Sequence, residues 1–409
     1  MDKNQKVIVI GGGAAGFFSA LSVKSHFPNA DVMIIEKSAK VLSKVKVSGG
    51  GRCNVTHACF DNVQLSKFYP RGEKYLRKSF EQFNAQSTID WFAKRNVRLE
   101  TLPDNCIFPK SNSSQTIIDC FVKEASELGI DIQIQTAFIG VKKLENKFNV
   151  ITSKGDFIAD KVIVTMGGQP KRNGLEWSEQ LGHKIVEPFP SLFTFNMPGN
   201  PICELMGNVV EETTVKIEST KLISNGPLLV THWGMSGPAI LKLSAWGARI
   251  LAEKDYNFAV LVNWLNEKKE DSLRLQIEQI VEEHGGKMIV NLNPFPMTNR
   301  LWSFLLEKSG INKEVRWRDI GKKGINKLVN TLINDRYLVN GKTTFKEEFV
   351  TAGGISLDQV DFRTMESRVV EGLFFAGEVL DIDGVTGGFN FQAAWTTGWI
   401  AGKSCLVNS

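Results

Sequence analysis

The stretch KVIVIGGGAAGFFSALSVKSHFPNADVMIIE, residues 6–36, decides the fold. KVIVI is almost wholly apolar and rich in β-branched residues, the composition of a strand buried on both faces. GGGAAG follows at once and reads as a tight turn opening a helix over about Phe17 to His26, with Pro28 and Asn29 punctuating its end. DVMIIE then returns as a second strand. Within this unit Gly11-x-Gly13-x-x-Gly16 falls between strand and helix, and Glu36 closes the second strand 20 residues after Gly16. Gly11 permits the turn, Gly13 lets backbone approach a diphosphate, and Gly16 lets helix and strand pack closely. A diphosphate placed there meets free N–H groups and the positive end of the helix dipole. Glu36 can accept hydrogen bonds from ribose hydroxyls.

This fingerprint alone does not separate FAD from NAD. Two other blocks do. VSGGGRCNVT (47–56) carries Ser48, the glycines Gly49, Gly50 and Gly51, Arg52 and Asn54. Successive glycines have no packing value and suit backbone pressed against something flat or charged. GLFFAGEVLDIDGVTGGFNFQAAWTTG (372–398) reads as a strand ending at Glu378, a glycine-rich turn, and a helix starting near Gly388. The N–H groups of Phe389 and Asn390 at such a helix start suit the charge that reduction places on an isoalloxazine ring, and Glu378 suits a ribityl chain. With one fingerprint and no second nucleotide domain, electrons are expected from transiently docked NAD(P)H, with another donor or the substrate as the alternatives.

The rest of the chain organises around these blocks. At 409 residues it has room for two or three domains, and 42% hydrophobic with 23% charged residues excludes the disordered and fibrous classes. Residues 130–165 read as short strands, 190–265 as β-rich with no strong helical period, and 270–340 as several helices. The expected architecture is α/β: a Rossmann-type nucleotide domain over 1–190 and 345–409, interrupted by an insert at 191–344 that is β-rich to 265 and helical from 266. No charged and apolar leader precedes the first strand and no run is long enough to cross a membrane, so a cytoplasmic location without membrane contact is expected. Six scattered cysteines and five histidines show no metal-ligand spacing, so no metal is expected. The net charge of +5 is uneven: residues 40–110 hold 13 Lys plus Arg against 6 Asp plus Glu. Arg71, Lys74 and Lys78 share helical spacing, with Arg77 beside them and Lys94, Arg95 and Arg98 beyond, a surface suited to RNA phosphates. The plainer reading of the same residues is a solvated charged face with a few cofactor contacts.

SGGGRCNVT (48–56), PDNCIFPKS (103–111), THWGMSGPAIL (231–241), TAGGISLD (351–358), TMESR (364–368) and FAGEVLDIDGVTGGFNFQAAWTTG (375–398) together resemble the BaiN/YhiN-type bacterial flavoproteins, also labelled aminoacetone-oxidase-like FAD-binding enzymes. The resemblance implies a glutathione-reductase-like FAD-binding domain split in sequence, with an insert that combines a β-barrel with a helical portion. It implies FAD contacts at Gly11, Gly13, Ala14, Ala15, Gly16, Glu36, Lys37, Arg52, Asn54, Phe138, Gly167, Gly168, Gly377, Glu378, Gly388 and Asn390. It further implies reduction of an activated C=C bond, in a bile-acid enone or in a uridine of ribosomal RNA. The chain departs from the pattern at TMGGQPKRNGLEW (165–177), which is short, at Met166 in place of Thr, and at His57 in place of Asn.

His232 in THWG and Cys53 in the glycine loop are the candidate proton donors; both residue types also serve as structural partners or buried thiols. Cys53 and Cys59 invite a disulfide-reductase reading, which the missing second nucleotide domain disfavours. An oxidase of a small amine or ketone and a non-catalytic flavin scaffold or redox sensor are the remaining readings.

Overall fold

Strand Lys6–Ile10 lies in a seven-stranded sheet ordered Val360–Asp361, Glu366–Ser367, Leu373–Phe375, Lys161–Val164, Lys6–Ile10, Asp31–Ile35 and Asp131–Gln133. The last five run parallel. Val7, Ile8, Val9, Val162, Ile163 and Val164 have no exposed surface, which is why these strands are apolar without alternation. From Lys6–Ile10 the chain passes first to Asp31–Ile35 on one side and later to Lys161–Val164 on the other. Ligands of open α/β sheets bind at such a switch point, outside the carboxyl ends of the strands.

The computed structural model describes residues 5–267, 269–343 and 350–407. The chain divides into two units, Met1–Ser191 with Phe345–Ser409, and Leu192–Thr344. The expected junction at 344/345 lies outside the described residues.

In the first unit the opening helix spans Ala14–His26, three residues longer at its start than the sequence suggests, because the glycine turn is itself helical from Ala14. The last helix, Phe389–Ser404, packs against it through small residues. A Cβ on Gly398 would lie 2.8 Å from the Ala15 carbonyl oxygen, and one on Gly402 would lie 2.4 Å from that of Ser19. The two ends of the chain are thus locked together by backbone contact that only glycine permits. Residues 73–98 hold two helices, Glu73–Ser79 and Ala85–Ala93. The run DFIADKVIVTM breaks at Asp160, whose carboxylate accepts from the Lys6 N–H at 2.7 Å. Gly155–Ala159 before the break belongs to a three-stranded meander, and Lys161–Val164 after it to the main sheet.

The second unit holds a seven-stranded sheet ordered Asp335–Asn340, Asn257–Asn263, Val209–Ile217, Ile223–Thr231, Gly234–Ser236, Thr194–Asn196 and Lys342–Thr343. Among the described residues no ladder closes it into a barrel. Its two edge strands are nevertheless joined by Gly341 alone, so the sheet must curl to bring them together. Two expectations need correction. The stretch read as β-rich contains the helix Pro238–Glu253, which buries Ile240, Leu243, Ala248 and Leu251 at helical spacing behind a proline at its first turn. The stretch read as helical ends in the strand Asp335–Asn340, which pairs with Asn257–Asn263. Helices Glu270–His284, Asn299–Lys308 and Gly321–Ile333 lie between, with Trp264, Trp302 and Trp317 in the unit's core.

Candidate functional site

The glycines of the fingerprint divide by what a side chain would meet. Gly11 has φ +108° and a Cβ there would lie 2.6 Å from the Thr165 carbonyl oxygen; at Gly16 it would lie 1.9 Å from that of Gly11. Both are glycine because the fold leaves no room. At Gly13 a Cβ meets no atom within 4 Å. Gly13 therefore borders open space, at the N-cap of a helix that no side chain caps. In the same unit helices Ala85–Ala93 and Ser114–Glu127 are capped by Asn84 and Ser113. The amides around Ala14 and Ala15 are thus left for a ligand, the arrangement that binds phosphate. Glu36 accepts from the Gly12 N–H and the Ser38 N–H, each at 2.8 Å, which ties the end of the second strand to the phosphate turn and leaves lone pairs for ribose hydroxyls. Lys37 beside it is exposed. The Thr136 N–H donates to the Glu36 carbonyl at 2.9 Å, bringing in half-buried Phe138, whose ring meets Trp177 edge-on at 5.1 Å.

The second cradle is the glycine loop. Helix Ser43–Gly51 breaks at Ser48, and Gly49, Gly50 and Gly51 run left-handed with φ +56°, +68° and +83°. A Cβ on Gly50 or Gly51 meets nothing within 4 Å, so the conformation, not crowding, demands glycine there. Arg52 Nε donates to the Gly49 carbonyl at 3.1 Å, and its guanidinium lies 4.5 Å from the Phe108 ring centre. Asn54, with its amide turned to satisfy both neighbours, donates to the Thr56 carbonyl at 2.9 Å and accepts from the Gly388 N–H at 3.2 Å. This contact joins the loop to the start of the last helix.

That helix start has no side-chain cap either. The Asn390 amide is spent on Gly384, accepting from its N–H at 2.8 Å and donating to its carbonyl at 2.9 Å, which pins the turn ahead of the helix. Phe389 is buried, stacked on Phe68 at 4.3 Å and His57 at 4.7 Å, and its carbonyl accepts from the Tyr69 hydroxyl at 2.7 Å. Gln392 accepts from the Thr56 and Thr88 hydroxyls at 2.6 and 2.9 Å. Glu378 accepts from the Thr351 N–H at 2.8 Å and pairs with Lys44 at 3.0 Å. A Cβ on Gly168 would strike Glu378 and Thr351 at 2.6 Å; Gly167, with φ +74°, faces open space. Gly377 stands where a Cβ would lie 2.8 Å from that of Ala15.

The predicted glycines, Glu36, Ser48, Arg52, Asn54, Phe138, Glu378, Phe389 and Asn390 all lie in the first unit. Lys44, Thr351, Tyr69 and Gln392 were missed. TAGG and the lysine-rich loop carried Thr351 and Lys44 in plain view, but nothing in their spacing says which carboxylate they meet. Cys53 is 0% exposed at a left-handed φ of +63°, and burial pushes its thiol up to about 12. Cys59 is half-buried, and both thiols are free. His232 is an exposed turn residue of the second unit, its ring centre 4.0 Å from that of Trp233.

The expected basic face is smaller than its spacing suggests. Arg71 precedes Gly72, with φ +99°, so it is not on the helix of Lys74 and Lys78. It is paired with the fully buried Asp383, which also accepts from the Ser191 hydroxyl at 2.6 Å. Arg95 is held by Glu124 at 2.7 Å and lies 3.7 Å from the Trp91 ring centre. Lys74, Arg77, Lys78, Lys94, Arg98 and Lys110 remain exposed. Among the described residues no group of three His, Cys, Asp or Glu could hold a metal, and no helix is long and apolar enough to cross a membrane.

A family model for the HI0933-like protein Rossmann domain matches residues 5–404. The chain belongs to this family. HI0933-like proteins are FAD-dependent oxidoreductases, and the two uncapped helix starts and open glycine cradles above fit that cofactor. The chain is 26% identical over 416 residues to a ribosomal RNA dihydrouridine synthase of Escherichia coli (strain K12), covering 98% of each chain. It is 25% identical over 420 residues to a 3-dehydro-bile acid delta(4,6)-reductase of Clostridium scindens, again covering 98% of each. Among solved structures, 3-ketosteroid-delta4-(5alpha)-dehydrogenase from Rhodococcus jostii RHA1 superposes with a TM-score of 0.51 at 11% identity, over 98% of this chain and 97% of that one, a likeness of fold.

Proposed function

We propose that this HI0933-like chain reduces an activated carbon–carbon double bond, and that its substrate is a uridine of ribosomal RNA, converted to dihydrouridine. The observation that carries the redox half is the uncapped start of the last helix, where the N–H groups of Phe389 and Asn390 adjoin the glycine loop through Asn54. When bound, FAD would supply a hydride to the β-carbon of a conjugated carbonyl, with its electrons coming from NAD(P)H and the α-carbon taking a proton from a protein acid or water. The chain's own residues bind and orient. The amides of Gly13 to Gly16 take the diphosphate, Glu36 the adenosine ribose, Glu378 the ribityl chain, and Phe389 and Asn390 the ring edge where charge collects. Gly49 to Gly51 and Arg52 bring backbone and guanidinium against the flavin, and buried Phe389 helps to keep water from that end. Of the two candidate acids Cys53 is set aside, since its thiol has no accessible surface.

The choice of RNA rests on charge. Lys74, Arg77, Lys78, Lys94, Arg98 and Lys110 form an exposed basic set suited to a run of phosphates, more cations than the single carboxylate of a bile acid would engage. A uridine in RNA would have to be splayed from its stack to be reduced. The bile-acid reductase, equally similar, supports a second reading in which the substrate is a small conjugated enone.

Nucleoside analysis of ribosomal RNA from a deletion strain tests the choice. Loss of one dihydrouridine, restored by the gene, supports the RNA reading; an unchanged dihydrouridine content overturns it. Anaerobic NADPH should bleach the protein's flavin absorbance at about 450 nm. Failure of every donor to bleach it would leave a flavin scaffold.

A further inference from the structure

The cofactor groove holds a carboxylate close to where a polyanion must rest. Glu378 follows Gly377, which abuts Ala15 in the first turn of the opening helix. Its side chain is 21% exposed, with one oxygen fixed by the Thr351 N–H at 2.8 Å and the other by Lys44 at 3.0 Å. Lys44 approaches from the diphosphate turn. Two residues before it, Leu42 takes a left-handed φ of +56° and donates its N–H to the Gly12 carbonyl at 2.8 Å. Segment 42–44 therefore runs from the fingerprint loop to Glu378, bridging two blocks far apart in sequence.

Charge explains why that bridge is a lysine. A diphosphate carries two negative charges, and a helix N-terminus offsets only about half of one. An unpaired carboxylate nearby, largely withdrawn from water, would repel it. We propose that Lys44 is a positioning residue for FAD: it cancels the charge of Glu378, so that this carboxylate can serve ribose-type hydroxyls without expelling the diphosphate. The proposal rests on the FAD reading and assigns a role to a residue outside both the fingerprint and the glycine run.

The test is FAD titration of the full chain, stripped of flavin, followed by flavin fluorescence. Lys44→Gln should weaken FAD about tenfold at low salt, with the deficit shrinking as salt screens the exposed repulsion. Lys44→Arg should bind like the parent. The double variant Lys44→Gln/Glu378→Gln should bind FAD more tightly than Lys44→Gln, though below the parent because the ribityl contact is altered, since the amide still accepts from Thr351 but carries no charge. Lys44 is half exposed, so the melting temperature of the apo-protein should not move, separating this effect from unfolding. Parental affinity in Lys44→Gln overturns the proposal, as does a double variant no better than the single. Were the parent itself to take up no FAD, the FAD reading would fall first and this proposal with it.

Discussion

Gly13→Ala separates a glycine kept for the ligand from glycines kept for the fold. Gly13 has φ −93° and ψ −166°, values alanine adopts freely, and its added Cβ meets nothing within 4 Å. In the apo-protein, alanine at a helix N-cap costs about 0.5–1 kcal/mol relative to glycine, and the loss of unfolded-chain entropy returns about 0.4–1 kcal/mol. The net change lies within about 1 kcal/mol, or a shift of roughly 4 °C at most. In the complex the same methyl occupies the space a diphosphate needs. Losing two charge-assisted amide bonds at about 1.5 kcal/mol each weakens FAD by roughly 150-fold. Gly16→Ala is the contrast, because its Cβ would lie 1.9 Å from the Gly11 carbonyl oxygen and the turn cannot form around it. Thermal melts of the apo-proteins and fluorescence titration with FAD read the two effects separately. Parental FAD affinity in Gly13→Ala, with the fold intact, would refute the assignment of this turn to the diphosphate.

Three further outcomes are expected. Asp383→Ala removes the carboxylate that neutralises the mostly buried Arg71 and should cost about 3–5 kcal/mol, whereas replacing both partners by apolar residues should recover most of it; urea melts of the three variants decide. His183 is buried between Ser178 and Ser367, and burial lowers its pKa below 6.5, so the unfolded chain binds a proton that the native chain refuses. Its contribution to stability is therefore complete above pH of about 6.5 and lost as the pH falls below that value, and His183→Gln should flatten the acid side of a urea-midpoint profile. Cys53→Ala should keep FAD and turnover within about threefold, since a fully buried thiol held near 12 gives up no proton at neutral pH; a variant that binds FAD normally but has lost its NADPH-dependent turnover would return the thiol to the mechanism.

Residues 6–36 and 372–398 carried the nucleotide-binding half of the fold in their order alone, because a parallel strand, a glycine turn and a helix dipole are local features with local signatures. The same locality puts Gly11, Gly13 and Gly16 at the strand–helix turn and Glu36 at the end of the second strand from their order alone. What needed three dimensions was everything set by pairing at a distance. Arg71 looked like a surface cation until Asp383 appeared beside it, 312 positions away along the chain. The helix Pro238–Glu253 was hidden by small residues and flanking strands, and Asp335–Asn340 gave no sign that it would pair with Asn257–Asn263 in a sheet begun at Thr194. Lys44 and Thr351 carry no motif of their own. Their meaning lies in a carboxylate that the folded chain delivers to them, and electrostatic partnership of that kind is a property of distance in space, which spacing in sequence does not encode.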